Sequence, residues 1–242
     1  MKVYAISDIG KTRKVNQDSC GYHTACDGLG FFIVADGMGG HNAGEVASLA
    51  TVNTFLEKAK TLREIKSEKQ AADFIKGAFR RANDIILYKA AADASMAGMG
   101  TTAVAAIVTE NNFIIGNIGD SRAYIISDSK IQQITEDHSY VAQLLKAGSI
   151  KEEEAKVHPK RNEITRAVGV EFYREPDIFN NEYKAGDILL LCSDGLDKMV
   201  DDSEILDIVL TEKEPEQMCT KLICAANDAG GTDNVTVLAV VL

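Results

Sequence analysis

The spacing of apolar residues predicts β-strands near both ends of the chain and in its middle. Residues 3–10 alternate between apolar and polar types, which is typical of a strand with one buried face. Unbroken apolar runs within residues 31–36 and 186–195 predict buried strands, and each run leads into an Asp-Gly pair. A last apolar run, at residues 234–242, predicts a strand that closes the chain.

Helices are predicted where apolar residues recur at helical spacing, and two of these segments carry end signals. Ser67 and Gln70 form a capping-box pattern at the start of one segment. Ser139 suits the N-cap of another segment, and Gly148 suits the position just beyond its end. The predicted helices cover residues 43–60, 67–92, 139–148, 203–210 and 215–229.

The segment of residues 100–135 differs from the helical regions around it, because it contains four short runs rich in β-formers. The pairs Asn111-Asn112 and Asp128-Ser129 lie between runs and predict hairpin turns. Short turns between neighbouring strands predict antiparallel sheets, with the helices packed outside them. The predicted fold class is therefore α+β with a layered architecture.

Length and charge limit the classes of function. A chain of 242 residues without a Pro-rich linker fits one domain, residues 1–242. No apolar run approaches the ~20 residues of a membrane span, and the first residues lack a signal peptide, so we expect a complete, soluble, cytoplasmic protein. The net charge of −10 argues against nucleic-acid binding. Five cysteines without a Cys-x-x-Cys pair argue against a thiolate zinc site and fit a reducing compartment.

Aspartates recur where predicted strands begin or end. If the strand ends meet at one edge, these carboxylates gather at one cleft, where they repel each other unless a cation neutralises them. Oxygen ligands on rigid strands suit Mg²⁺ or Mn²⁺, and the Gly37 carbonyl could be a further ligand. The alternative is that each acid only caps a turn, which is the commoner role of an Asp-Gly pair. The five residues are Asp18, Asp36, Asp120, Asp194 and Asp233.

Several other kinds of site are excluded by spacing. The Gly-Lys-Thr at residues 10–12 lacks the preceding glycine of a phosphate-binding loop. A calcium loop starting at Asp36 would place Met38 and Gly40 at ligand positions. Neither Cys-x5-Arg, Asp-x-Asp nor Gly-x-Ser-x-Gly occurs in the chain, which argues against cysteine phosphatases, aspartyl-phosphate enzymes and serine hydrolases.

Six motifs together give the chain a family resemblance. They appear in the order seen in type 2C (PPM family) serine/threonine protein phosphatases, and the chain most resembles the compact bacterial members. The resemblance extends over nearly all of residues 1–242. The motifs are RKVNQD (13–18), VADGMGGHNAGE (34–45), GTTA (100–103), GDSRAY (119–124), CSDGL (192–196) and GGTDNVTV (230–237).

The resemblance implies a four-layer α-β-β-α sandwich, in which two antiparallel β-sheets are flanked by helices and a metal centre lies at one end. It also implies a role for each acid, with two to three Mn²⁺ or Mg²⁺ ions per chain. Asp36 would bridge two ions, and Asp194 and Asp233 would complete the first site. The Gly37 carbonyl would serve the second ion, with Asp18 acting near it. Asp120, together with Asp194, would hold a third and weaker ion.

The same resemblance implies the reaction and the partners. Arg13 would grip the phosphate of phosphoserine or phosphothreonine, since its planar fork suits a phosphate dianion. A metal-bridging hydroxide would attack phosphorus in line, and His41 would protonate the leaving alkoxide. The expected partners are phosphoproteins and a cognate serine/threonine kinase, the expected state is a monomer, and residues 135–169 would form a flap beside the site.

Overall fold

A computed structural model describes residues 1–25, 28–38 and 43–242. Its β-strands are β1 (Lys2–Asp8), β2 (Asp18–Thr24), β3 (Gly30–Met38), β4 (Gly100–Thr101), β5 (Ala103–Val108), β6 (Asn112–Ile118), β7 (Arg122–Ser127), β8 (Lys130–Gln133), β9 (Asp177–Glu182), β10 (Ile188–Cys192) and β11 (Val235–Val241). Its α-helices are α1 (Gly44–Lys60), α2 (Glu68–Ala92), α3 (Tyr140–Lys146), α4 (Glu152–Lys156), α5 (Asp194–Asp197), α6 (Asp202–Thr211) and α7 (Pro215–Asp228), and a 3-10 turn spans Ala94–Met96.

The strands form two antiparallel sheets. One sheet has the order β1-β11-β10-β7-β8, and the other has the order β2-β3-β5-β6-β9, with β4 paired to β3. The sheets stack face to face, with α1 and α2 covering the second sheet and α6 and α7 covering the first. The predicted four-layer α-β-β-α arrangement of the α+β class is confirmed.

Strand β3 is buried on both of its faces, which accounts for its unbroken apolar sequence. Its alternate residues Phe31 and Ile33 pack against the helices, whereas Phe32 and Val34 pack between the two sheets. All four side chains are fully buried, and each contributes about 1.5–3 kcal/mol by leaving water. Burial on both faces makes β3 a rigid support for the residues at its end.

The predicted helices and turns agree with the structure. The Ser67 and Ser139 hydroxyls accept hydrogen bonds from the amides of Gln70 (3.2 Å) and Ala142 (3.2 Å), as N-caps do. The pair Asp128-Ser129 has positive φ angles, as a tight hairpin turn requires. Two strands, β2 and β9, were not predicted from the sequence. Within the described residues, no helix is long and apolar enough to cross a membrane.

The topology brings several strand ends to one end of the sandwich. Strand β2 begins opposite the end of β3, so that Asp18 pairs directly with Asp36. On the other sheet, Ser193 follows the end of β10 and its amide donates to Thr236 of β11. Loops that leave β6 and enter β11 reach the same end, and this is where the sequence places its acids.

Candidate metal centre and active site

Asp36 is the most firmly positioned of the acids. Its amide donates to the Thr102 hydroxyl (3.0 Å), and its carbonyl accepts from the Thr102 amide (2.9 Å) and the Thr101 hydroxyl (2.8 Å). The Gly-Thr-Thr motif that precedes β5 therefore fixes the backbone at the end of β3. These hydrogen bonds use only the backbone of Asp36, so they position the residue without occupying its carboxylate oxygens.

Gly37 occupies a position where only glycine fits. Its amide donates to the Gln17 carbonyl (3.0 Å). A Cβ atom added here would overlap the backbone carbonyls of Gln17 and Gly44 more closely than real Cβ atoms approach any neighbour. The loop before β2 and the start of α1 thus press directly on the backbone beside Asp36. Ligation by the Gly37 carbonyl stays a prediction.

Asp18 joins the two sheets. It lies directly across the β2–β3 pair from Asp36, where like charges are unfavourable. Its Oδ2 atom accepts hydrogen bonds from the hydroxyls of Ser193 (2.7 Å) and Thr236 (2.7 Å), which belong to the opposite sheet. Its Oδ1 atom is buried and accepts no hydrogen bond from any described residue.

Asp194 and Asp120 share one cation from the protein itself. Asp194 opens α5, and Lys198 lies one helical turn later, where its ammonium forms an ion pair with Asp194 Oδ2. The same ammonium lies 3.8 Å from Asp120 Oδ2. Burial tends to lower the pKa of Lys198, but the two carboxylates outweigh this effect and raise it above its ordinary value. Asp194 Oδ1 is buried without a hydrogen-bond donor among the described residues.

Asp233 is paired with Arg13. The Arg13 Nη2 atom lies 2.7 Å from Asp233 Oδ2, and half of the Arg13 side chain is exposed. The neighbouring Asn234 fixes the loop that carries Arg13, because its Nδ2 atom donates to the carbonyls of Ile9 (2.9 Å) and Val15 (3.0 Å). The predicted phosphate-binding arginine and a predicted metal ligand therefore lie in contact at the edge of the site.

Shared contacts place the five acids in one region. Asp18 pairs with Asp36 and accepts from Ser193 beside Asp194, Lys198 contacts both Asp194 and Asp120, and Asn234 beside Asp233 accepts from the Gln17 amide beside Asp18. Burial, followed by repulsion from Asp18, Asp194, Asp120 and Asp233, raises the pKa of Asp36 well above its ordinary value. Burial also raises the pKa of Asp18 to about 7, although the hydroxyls that it accepts from work in the opposite direction. Asp120 has its pKa raised to about 7 by burial and by Asp194. Such shifts arise where carboxylates cluster without full neutralisation.

The carboxylates do not already form a ligand set. In the described ranges, no three acidic, histidine or cysteine side chains converge tightly enough to surround an ion. Several carboxylate oxygens are instead in contact with protein donors: Ser193 and Thr236 donate to Asp18, Lys198 pairs with Asp194, and Arg13 pairs with Asp233. The donor chemistry nevertheless fits a hard divalent cation, because the Oδ1 atoms of Asp18 and Asp194 are buried oxygens to which no described residue donates.

Of the predicted site residues, His41 lies outside the described residues. Sequence reasoning missed the charged residues that support the acids. Arg122 forms a two-point pair with Asp137 (2.7 and 3.0 Å) and contacts the buried Asp197 at 3.0 Å. This pairing anchors α5, which carries Asp194. The only available signal was the spacing of the charges within the motif residues, Arg122 in GDSRAY and Asp197-Lys198 just after CSDGL.

The predicted flap region is connected to the site through His138. Its ring is buried, with Nδ1 accepting from the Gly119 amide (3.1 Å) beside Asp120 and Nε2 lying 3.0 Å from Asp177 Oδ2 on β9. Arg166 also pairs with Asp177 at 2.7 Å. Burial, ahead of the opposing contact with Asp177, lowers the pKa of His138, so the neutral ring is favoured.

Comparison with known proteins agrees with this geometry. The sequence profile described as protein phosphatase 2C matches residues 10–224. The serine/threonine phosphatase stp of Listeria welshimeri is 39% identical over 234 residues, which cover 97% of this chain and 93% of that protein.

Solved structures are similarly close. The serine/threonine phosphatase Stp1 from Staphylococcus aureus superposes with a TM-score of 0.92 at 36% identity, covering 99% of this chain and 94% of that one. The catalytic domain of the phosphatase PstP, solved in complex with two manganese ions, superposes with a TM-score of 0.84 at 35% identity, covering 98% and 96%. With this fold, these spaced acids and these relatives, the chain belongs to the protein phosphatase 2C family.

Proposed function

We propose that this protein is a Mn²⁺- or Mg²⁺-dependent phosphatase that hydrolyses phosphoserine and phosphothreonine in proteins. The observation that carries the proposal is the gathering of five carboxylates at one end of the sandwich, where burial, followed by repulsion from the other four acids, raises the pKa of Asp36. Membership of the protein phosphatase 2C family and the names of the relatives support the substrate class. The manganese ions of the PstP structure support the choice of metal.

The residues proposed to hold the ions follow from the family resemblance and from the free oxygens of the site. Asp36 would serve two ions, completed by Asp194 and Asp233 on one side and by the Gly37 carbonyl and Asp18 on the other. Asp18 and Asp194 each offer a buried Oδ1 atom to which no described residue donates. When bound, divalent ions supply Lewis acidity, which lowers the pKa of water and neutralises phosphoryl oxygens.

The pairing of Arg13 with Asp233 suggests how the site changes when it is loaded. A carboxylate that ligates a divalent ion loses much of its attraction for a guanidinium. Arg13 would then be released, and its half-exposed side chain can turn its planar fork toward a phosphate. We propose that Asp233 binds Arg13 at the edge of the site until a divalent ion is bound. Arg13 would orient the phosphate dianion and neutralise part of its charge.

His41 is proposed as the proton donor to the leaving seryl or threonyl oxygen. His41→Ala should leave Mn²⁺ binding intact and lower turnover of alkyl phosphates by about 10²–10⁴-fold, the usual value of a positioned acid. The loss should be smaller for p-nitrophenyl phosphate, because nitrophenolate leaves without help from a proton. Equal losses on the two substrates would argue against this role.

The decisive experiment is hydrolysis of a phosphothreonine peptide with and without Mn²⁺. The wild-type protein and Asp207→Asn, a change at an exposed acid of α6, should turn over only with Mn²⁺. Asp36→Asn should fall to background, with its melting temperature in chelator confirming that it is folded. Turnover that survives chelator or Asp36→Asn would refute the metal mechanism. Peptide binding without turnover in the wild-type protein would instead indicate a phosphoprotein-binding module.

The domain organisation, partners, compartment and oligomeric state of the protein are also proposals. We propose that residues 1–242 form one catalytic domain, that residues 135–169 act as its flap, and that a cognate serine/threonine kinase supplies its phosphoprotein substrates. The free thiols of Cys20, Cys192, Cys219 and Cys224 favour a reducing compartment such as the cytoplasm. A monomer is the proposed state, to be checked by light scattering.

A further inference from the structure

Lys198 is the charged residue at the centre of the site that the proposed mechanism does not use. Its ammonium lies between two carboxylates, in ion-pair contact with Asp194 Oδ2 and 3.8 Å from Asp120 Oδ2. Only 29% of its side chain is exposed, and the side chains of Asp194 and Asp120 are 13% and 8% exposed. The Lys198 side chain is therefore less accessible than the lysines of the surface pairs, which are all more than half exposed.

The local fold holds Lys198 in this position. The Lys198 amide donates to the Asp194 carbonyl (3.1 Å), which places the two side chains one helical turn apart on the same face. Leu196 is fully buried inside this turn, and Asp197 is held by Arg122 at 3.0 Å. With both intervening side chains anchored, the turn is held in place, and the Lys198 ammonium lies 3.8 Å from Asp120 Oδ2.

The position of this ammonium coincides with an expected cation position. Asp120 and Asp194 are the pair that the family resemblance assigns to a third, weaker divalent ion. Within the described residues, Lys198 is the cation that contacts both of them. We propose that the Lys198 ammonium permanently replaces the third divalent ion, so that this phosphatase takes two divalent ions rather than three. This inference rests on the proposed function.

Asp194 is shared between the two roles in a way that supports the proposal. Its Oδ2 atom faces Lys198, whereas its Oδ1 atom is buried and accepts nothing from the described residues. One oxygen therefore serves the ammonium while the other remains available to an ion at Asp36. A divalent ion between Asp120 and Asp194 would have to displace a tethered ammonium that is present at high effective concentration, and it would bring a second positive charge beside the first.

The test is the number of Mn²⁺ ions bound per chain, measured by calorimetry and by the paramagnetic resonance signal of unbound Mn²⁺. The wild-type chain should bind two ions. Lys198→Met keeps the length and apolar stem of the side chain but removes its charge, and it should bind a third ion. The affinity of that third site should exceed any residual wild-type binding by about tenfold or more, within the usual range for coupling between two bound groups.

Matched variants make the outcome specific. Lys184→Met removes an ion pair with Asp128 in which both side chains are exposed, and it should leave the count at two. Adding Asp120→Asn to Lys198→Met should abolish the third ion. Asp120→Asn alone should leave the wild-type count unchanged, a test that does not depend on Lys198→Met folding.

Three results would overturn the inference. A wild-type count of three shows that the ammonium does not exclude the third ion, and so does a count that falls when only Asp120 is changed. A count of two in folded Lys198→Met shows that the lysine is not the cause. A wild-type chain that binds no Mn²⁺ would refute the proposed metal dependence itself, and this result is distinguishable because it appears before any variant is made.

Discussion

Asp18→Asn is expected to raise the melting temperature in chelator at alkaline pH and to lower it in Mn²⁺, each compared with the wild-type protein. Burial and neighbouring carboxylates raise the pKa of Asp18 from 3.8 to about 7. Between these values the folded chain binds a proton that the unfolded chain has lost, so stability falls as the pH rises through this window. The shift corresponds to about 4 kcal/mol of stability lost by pH 8, at 1.36 kcal/mol per pKa unit.

Asparagine removes this cost but adds a smaller one. Its carbonyl oxygen can still accept from the Ser193 and Thr236 hydroxyls, which now contact Oδ2 of Asp18. Its NH₂ group would replace the Oδ1 atom to which no described residue donates, and an unsatisfied buried donor costs about 1–3 kcal/mol. The net gain of about 2 kcal/mol should raise the melting temperature by roughly 4–8 °C at pH 8, and by little at pH 4.5.

Mn²⁺ should reverse the ranking of the two proteins. Ligands that bind only the folded state stabilise it by about 2.7 kcal/mol at a hundredfold excess over Kd and by about 4.1 kcal/mol at a thousandfold excess, so at the higher excess the weakened site costs the variant more than the ~2 kcal/mol that it gained. The assay is thermal unfolding in EDTA and in Mn²⁺ at pH 4.5 and 8, with Asp207→Asn as the control. A fall in melting temperature in EDTA that is equal at both pH values would refute the reasoning, because Asp18 would then act only as a link between the sheets.

Three further outcomes are expected. Arg122→Met should leave the buried Asp197 carboxylate unpaired and lower the free energy of unfolding by about 3–5 kcal/mol in urea titrations, and a loss below about 1 kcal/mol would contradict the ion pairs described. Gly37→Ala should lower the free energy of unfolding by about 2 kcal/mol or more, with or without Mn²⁺, because its Cβ meets backbone on two sides, and thermal melts should show a lower melting temperature in both conditions. Acidification below pH ~6.5 should reduce hydrogen-exchange protection of residues 135–169, since burial lowers the pKa of His138 and protonation favours the unfolded chain; His138→Gln should flatten this profile.

The elements that could be predicted from the sequence are those whose pattern of buried residues appears within one continuous segment of the chain. Strand β3 is buried on both faces and therefore reads as an unbroken apolar run. Strand β2 reads DSCGYHT and has no such pattern, because it is an edge strand set by its register with β3. Its Gly21 is explained only by the closeness of Val52 and Leu56 on α1, which no local pattern reveals.

The site shows the same limit. Acids at strand ends could be identified because the end of a strand is a local feature, and the structure brings these acids to one region through shared contacts. The basic residues that pair with these acids and with Asp197 could not be identified from the sequence, since the role of Arg122 or Lys198 depends on which loops meet in space. In the case of Lys198, the i,i+4 spacing from Asp194 was the one local sign.

The direct opposition of Asp18 and Asp36 across the β2–β3 pair has an evolutionary consequence. Without a bound cation, two carboxylates that face each other on neighbouring strands repel each other and lower the stability of the chain. In the metal-free state, a duplicated copy released from selection for catalysis would gain stability by exchanging Asp18 for asparagine, so the loss of activity and the gain in stability would proceed together. Selection for activity must therefore maintain a pair of acids that lowers the stability of the metal-free chain.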